Sequence, residues 1–346
     1  MVTMCKNNSR ESAYSGGFIP LQNCIDLIGL SPAIGYYSYT KRYAKLKAEN
    51  MKKLVFKILR YSGLPFLFRE IFQRNKVSIL LFHDISRETA LQTFNYLKQN
   101  YNILDLNDFI EASENKDYSK IPQKALIITF DDAHIRNYEI LPVIKELKIP
   151  ITIFSCASII NTNRHFWFMF KDESISTSQL KKESTKDRLE ILSKVGFKQE
   201  KEFPNAQALQ KKQIDEMKHF INIQSHTLFH PCLPKCSFDE AKEEIFKSKE
   251  ILENEYGLNI NAIAYPNGDY SDRDIQITKD SGYKCGITVD YGFNTHQTDV
   301  YKLKRLSVND TDNIDELIVK ASGMWAFFKT RNGRRQPYGY TKHTVN

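Results

Sequence analysis

The chain has 346 residues, 41% hydrophobic and 26% charged, with a net charge of +8. That length allows one α/β barrel with extensions or two small domains, and the composition excludes a disordered chain, a fibre and a membrane-embedded bundle. The positive charge is confined to the ends: residues 1–76 hold 13 Lys/Arg against 4 Asp/Glu, residues 329–346 hold 5 against none, and the body carries 31 against 37. Basic ends on a mildly acidic body suit contact with an anionic surface and argue against a nucleic-acid groove in the fold.

Residues 1–50 read as an extension, possessing neither a secretory signal nor a repeat, and Met51 resembles a fresh start that would leave them upstream of the true initiator. Residues 51–76 form a basic amphipathic segment, broken by Gly63 and Pro65, that either covers one end of the fold or lies in a bilayer interface. No run of 18 apolar residues occurs, and a location in the cytoplasm or peripheral to the cytoplasmic membrane face is expected. Six cysteines in a chain of this length do not make a disulfide scaffold.

From residue 77 to 328, short β-rich apolar runs alternate with helical stretches. The runs are Val77–Phe82, Ala125–Phe130, Ile151–Phe154, Ile221–Gln224, Ala262–Tyr265, Cys285–Val289 and Leu303–Val308. Helices are predicted over Thr89–Gln99, Asn137–Leu147, Phe238–Tyr256 and Ser271–Ser281. Near-continuous apolar strands alternating with amphipathic helices define parallel β/α units, and a barrel is their closed form. Residues 155–218 interrupt the rhythm and read as an insertion at the rim. Residues 329–346 are a basic tail.

In such a barrel, functional groups lie just past the strand C-termini. His83-Asp84 follows the first run, Asp131-Asp132 the second, Ser225-His226 the fourth and Pro266-Asn267-Gly268 the fifth. Adjacent acids at the end of a buried strand must pair, bind a cation or protonate, although one of them could instead cap the next helix. His226-x-x-x-His230 offers two imidazoles to one divalent ion. With a carboxylate from Asp131-Asp132 the set becomes two histidines and one acid, with open positions where water can be activated. His83 shares the rim and could exchange a proton near neutrality. His134, His165 and His296 have no comparable context. Phe166, Trp167, Phe168, Tyr265 and Tyr291 could stack on sugar rings or pack in the core.

The order Phe82-His83-Asp84, Thr129-Phe130-Asp131-Asp132, Ser225-His226-Thr227-x-x-His230-Pro231, Tyr265-Pro266-Asn267-Gly268 resembles the NodB-type polysaccharide deacetylases, in particular the branch that includes poly-N-acetylglucosamine deacetylases. The resemblance covers roughly residues 79–308. It implies a distorted (β/α)7 barrel and a metal-dependent hydrolysis of N-acetyl groups on a sugar or polysaccharide, with water activated by the metal as nucleophile. Asp132, His226 and His230 would hold the metal, Asp131 would be the base, His83 the acid, and the Tyr265 backbone N–H would support the oxyanion. Zinc is the favoured ion, with cobalt, nickel or iron compatible. The partner would be an N-acetylated glycan or a lipid-linked sugar, with peripheral membrane contact through the basic ends. Two departures stand out: no arginine precedes Tyr265-Pro266, where many members carry one that orients the base, and Ala133 replaces the usual glycine.

Other readings of the same residues are a closed zinc site of His226, His230, Cys232 and Cys236, a non-catalytic glycan-binding barrel, an O-acetyl esterase, and a non-haem iron oxygenase.

Overall fold

All seven apolar runs become strands. In this computed structural model, which describes residues 32–331 and the side chains of 46–328, they are β1 (Ser78–Phe82), β3 (Ala125–Phe130), β4 (Thr152–Ser155), β5 (Asn222–Ser225), β6 (Ala262–Ala264), β7 (Cys285–Tyr291) and β8 (Leu303–Ser307). A two-residue strand, β2 (Asn102–Ile103), escaped the sequence reading because it is too short to show a pattern. Every pairing between these strands is parallel. The sheet runs β1-β8-β7-β6-β5-β4-β3-β2 and closes through β1 on β3, from Ser78 against Leu126 to Phe82 against Phe130. Seven strands therefore form the barrel, with β2 attached beside the start of β3. It is distorted where β5 meets β6 through one residue pair and where the register shifts between Ile287 and Tyr291.

Alternation along the strands builds two apolar layers. Leu80, Phe82, Leu126, Ile128 and Phe130 pack with Phe94, Leu97 and Ile144 from the outer helices, whereas Ile79, Ile127, Phe154, Ala264, Ile287 and Leu303 form a second cluster inside the barrel. The helices start where their caps dictate. Ser237 and Glu240 form a capping box at the head of Phe238–Tyr256, and Gly257 closes it in the left-handed conformation. The predicted helix over Asn137–Leu147 splits into a 3-10 turn, Ile135–Ile140, and an α-helix, Leu141–Leu147, with Pro142 in its first turn.

The insertion is folded. It carries helices at Thr177–Leu180 and Thr185–Lys194 and a small core of Trp167, Leu180, Leu192 and Phe197 seated on Cys232. The chain divides into two units, Met1–Leu54 and Val55–Asn346. In the first, residues 32–54 belong to a helix that runs on to Tyr61; the rest of the extension, and the basic tail beyond Arg331, lie outside the described residues. No helix among the described residues is long and apolar enough to cross a membrane.

Candidate active site

The C-terminal ends of β1, β3, β5, β6 and β8 deliver polar groups to one rim. Asp132, His226 and His230 are buried and bring one donor atom each within 4.8 Å of one another. His226 Nε2 and His230 Nε2 each lie 3.6 Å from Asp132 Oδ1. That is too long for a hydrogen bond and close to the roughly 3.3 Å edge of a tetrahedral site with zinc–ligand bonds of about 2.0–2.1 Å. Asp132 Oδ1 is buried with no hydrogen-bond partner among the described residues. A native fold rarely leaves such an oxygen orphaned, so these residues fit a divalent cation.

The tautomer of His226 fits as well. Its Nδ1 lies 2.7 Å from the Ala264 carbonyl, so that nitrogen carries the proton and Nε2 presents a lone pair to the site. Burial pushes the His230 imidazole down to about 3, against the field of Asp132, which keeps it neutral and able to ligate. Burial opposes ionisation of Asp132, but His134 and the two other imidazoles outweigh it and hold the carboxyl far below the usual range.

Sequence reasoning missed four groups that set this geometry. The first is Arg305 on β8. Its Nη1 and Nη2 donate to Asp131 Oδ1 and Oδ2 at 2.7 and 2.8 Å, and its Nε donates to the Thr288 carbonyl at 2.8 Å. This fork supplies what the missing arginine before Tyr265 would have supplied. Burial by itself would raise Asp131, but the Arg305 charge, followed by His226, holds it below the ordinary carboxylate range. The only sequence signal was an arginine inside an apolar strand, where a charge needs a partner.

His134, assigned no role from sequence, places Nε2 3.3 Å from Asp132 Oδ2 and so holds that carboxylate from its other side. Asp310 meets His83 twice, accepting from the backbone N–H at 2.7 Å and facing Nδ1 at 3.1 Å. Burial pulls the His83 imidazole down, but Asp310, with Asp132 and Asp131 behind it, raises it to about 9.

Glu244, on the helix Phe238–Tyr256, accepts from the backbone N–H groups of Leu228 and Phe229 at 2.8 and 3.0 Å, between His226 and His230. From the opposite side Trp167 Nε1 donates to the His230 carbonyl at 2.8 Å, and the Phe168 ring lies 4.5 Å from the His230 ring. These contacts hold Thr227 and His230 in left-handed backbone, φ 69° and 57°, a strain of order 1–2 kcal/mol per residue. Glu244→Ala leaves two backbone donors unpaired. It is expected to weaken zinc affinity by about tenfold or more, as loss of a ligand's outer partners does, whereas Glu244→Gln, which still accepts, keeps most of it. Competition with a chelator reads the difference.

Asp132 and Ala133 also adopt left-handed backbone, with φ 70° and 51°. Ala133 therefore takes the conformation the usual glycine supplies. The insertion helps impose it, with Leu209 N–H donating to the Ala133 carbonyl at 2.9 Å.

One expectation changes, and one alternative reading is set aside. The Tyr265 N–H donates to the Ile287 carbonyl at 3.0 Å, so it is committed to the barrel ladder and is not available to an oxyanion. The Tyr265 ring is buried over Gly286, where an added Cβ would come within 2.2 Å of the hydroxyl. Cys232 and Cys236 do not join His226 and His230: Cys232 packs in the core of the insertion, and Cys236 Sγ lies 3.3 Å from Thr185 Oγ1. Of the other unassigned histidines, His165 stacks on Phe203 and His296 lies near Tyr118, without a place in the site.

Fold and site together define a (β/α)7-barrel protein with a two-histidine, one-aspartate centre and a second aspartate held beside it by arginine. The polysaccharide deacetylase family model matches residues 119–286. YxkH of Bacillus subtilis (strain 168), assigned to the polysaccharide deacetylases, is 25% identical over 246 residues, 68% of this chain and 72% of its own. The poly-beta-1,6-N-acetyl-D-glucosamine N-deacetylase of Staphylococcus epidermidis is 27% identical over 231 residues, 64% of this chain and 65% of its own. Among solved structures, the Streptococcus pyogenes deacetylase PplD in complex with acetate shares the fold, with a TM-score of 0.53 and 21% identity over 73% of this chain and 98% of that one. Residues 119–286 thus match a polysaccharide deacetylase domain, and the proteins that carry this domain are hydrolases acting on carbon–nitrogen bonds other than peptide bonds.

Proposed function

We propose that the protein is a metal-dependent N-deacetylase of a glycan, free or lipid-linked, with Asp132, His226 and His230 as ligands and zinc as the favoured ion. The observation that carries this reading is the orphaned Asp132 oxygen facing two imidazole nitrogens at 3.6 Å. A divalent ion held there supplies, when bound, the Lewis acidity that polarises a carbonyl and lowers the pKa of water.

The chain's own groups divide the proton work. Asp131 is ionised through neutrality and takes a proton from the attacking water. Arg305 keeps its carboxylate plane turned to the site. Cleavage of the acetamide expels an amine, which needs a proton to leave. His83, raised to about 9 by Asp310, holds that proton at neutral pH and delivers it.

The sign of the pH dependence follows. An acid must be protonated, so activity falls as pH rises through the His83 value of about 9. Asp310→Asn removes the charge that raises it and is expected to move the alkaline limb of kcat/KM to lower pH by roughly one to two units, leaving the acid limb in place.

Acetate release from a panel of N- and O-acetylated glycans by zinc-reconstituted protein tests the function, with His226→Ala as control. Release from N-acetylated members that His226→Ala abolishes is the expected outcome. Release that survives the substitution, or none from any N-acetylated substrate, would overturn the reading.

A further inference from the structure

The basic segment 51–76, expected either to cover one end of the fold or to lie in a bilayer interface, turns some side chains inward onto the fold and others outward to the surface. Within Val55–Asn346, Phe56 and Phe68 turn inward onto Val319 and Met324. Phe66, Ile71 and Phe72 turn outward, at 57%, 65% and 46% exposure. The C-terminal helix Met324–Arg331 adds aromatic rings to the same place, with Phe327 5.4 Å and Phe328 6.5 Å from Phe68. Ile58, Tyr61, Leu64 and Leu67 are exposed on the same segment. A cluster this large exceeds the scattered apolar residues of an ordinary surface.

Its charge selects the occupant. Residues 55–76 carry Lys57, Arg60, Arg69, Arg74 and Lys76 against one acid, Glu70; Arg60 pairs with Asp315 and Arg69 with Glu70, so the positive excess rests on Lys57, Arg74 and Lys76. A second copy would bring the same patch against itself, as a two-fold contact requires, and would oppose like charges across the seam. Projecting aromatic and aliphatic side chains framed by cations match instead the headgroup and acyl boundary of an anionic bilayer.

The position of the patch fixes what a bound molecule presents to its substrate. Arg69 Nη1 donates to Asn100 Oδ1, just before β2, and Arg74 Nε donates to Gln123 Oε1, just before β3. The patch therefore sits at the strand-start end of the barrel, and the candidate active site at the strand C-termini. We propose that Phe66, Ile71, Phe72 and Phe328 dock the protein on an anionic lipid surface by the base of the barrel, so that the catalytic mouth faces away from the bilayer. A six-residue strand spans roughly 20 Å, so the mouth would meet acetylated sugars at least about that far from the lipid, a reach that suits an extended glycan rather than the sugar next to a lipid carrier. The docking does not depend on the chemistry of the site; the orientation test rests on the proposed function.

Co-sedimentation of the full chain with vesicles of phosphatidylcholine alone and of phosphatidylcholine with phosphatidylglycerol tests the docking. Binding to the anionic vesicles is expected, with Phe66→Ser/Ile71→Ser weakening it by at least about tenfold while the melting temperature stays unchanged. Equal partitioning of variant and parent would overturn the proposal. A dimer that the variant dissociates would assign the patch to a second copy, and a lowered melting temperature would assign it to the chain's own termini; either result overturns it. For orientation, vesicle-bound protein is expected to turn over a water-soluble N-acetylated oligosaccharide within about twofold of the free rate. Loss of turnover on binding, with turnover intact in solution, would overturn the outward-facing mouth alone.

Discussion

Asp131→Asn is expected to lower kcat by about 10²–10⁴-fold, the range a positioned general base contributes, while zinc affinity changes by no more than a few-fold. The argument rests on the division between neighbours. Asp132 Oδ1 faces both imidazoles, whereas both Asp131 oxygens are engaged by Arg305. Asparagine keeps the shape and removes the basic site, so the ligand set survives and the proton acceptor does not. The substitution also strands a buried guanidinium, and breaking one partner of such a pair costs about 3–5 kcal/mol of stability. The double variant Asp131→Asn/Arg305→Met separates the two effects. It is expected to regain much of the stability, because no unpaired charge remains, and none of the rate. Steady-state kinetics with a parallel denaturant melt reads both arms. A double variant that regains activity would remove Asp131 from the proton transfer.

Arg305→Met is expected to reduce kcat/KM at neutral pH by about 10²-fold or more and to shift the acid limb of its pH profile upward. In the parent protein burial favours the neutral Asp131 carboxyl and Arg305 opposes it. Without the arginine, burial wins. The base then stays protonated to higher pH, and the rate is lost earlier as pH falls. Linkage gives stability the same direction. A carboxyl held below its unfolded value contributes stability above the ordinary carboxylate range, lost as pH falls through the folded value. Removing Arg305 brings that loss closer to neutrality. The distinguishing measurement is the limb, since a general loosening of the fold would lower the plateau and leave the midpoint where it was.

How much of this was legible in the chain depended on how far apart the partners lie. Seven strands could be read because each is a local run of apolar residues bounded by polar ones. Asp131, Asp132, His226 and His230 could be read because they fall at strand ends, a position that periodicity marks. Arg305 could not be tied to Asp131, since 174 residues separate them and the pairing exists only because β8 closes the barrel beside β1. His83 and Asp310 are 227 positions apart. His134 lay two residues from a ligand with no sign of which way its ring would turn.

The Tyr265 N–H shows the opposite error. Nothing local reveals that a backbone donor at a strand end is already spent on the next strand, because that depends on register between β6 and β7. The aromatic patch is a third case: Phe66 and Phe328 stand 262 positions apart, and amphipathicity in one segment cannot say which of its faces a distant helix will cover. The sequence by itself thus determined the element pattern, the strand ends and the candidate ligand set, all set by neighbours along the chain. Only the tertiary structure decided which charge faces Asp131, which acid raises His83, which donors remain open and which end of the barrel stays apolar, because each turns on groups that meet only when the barrel closes.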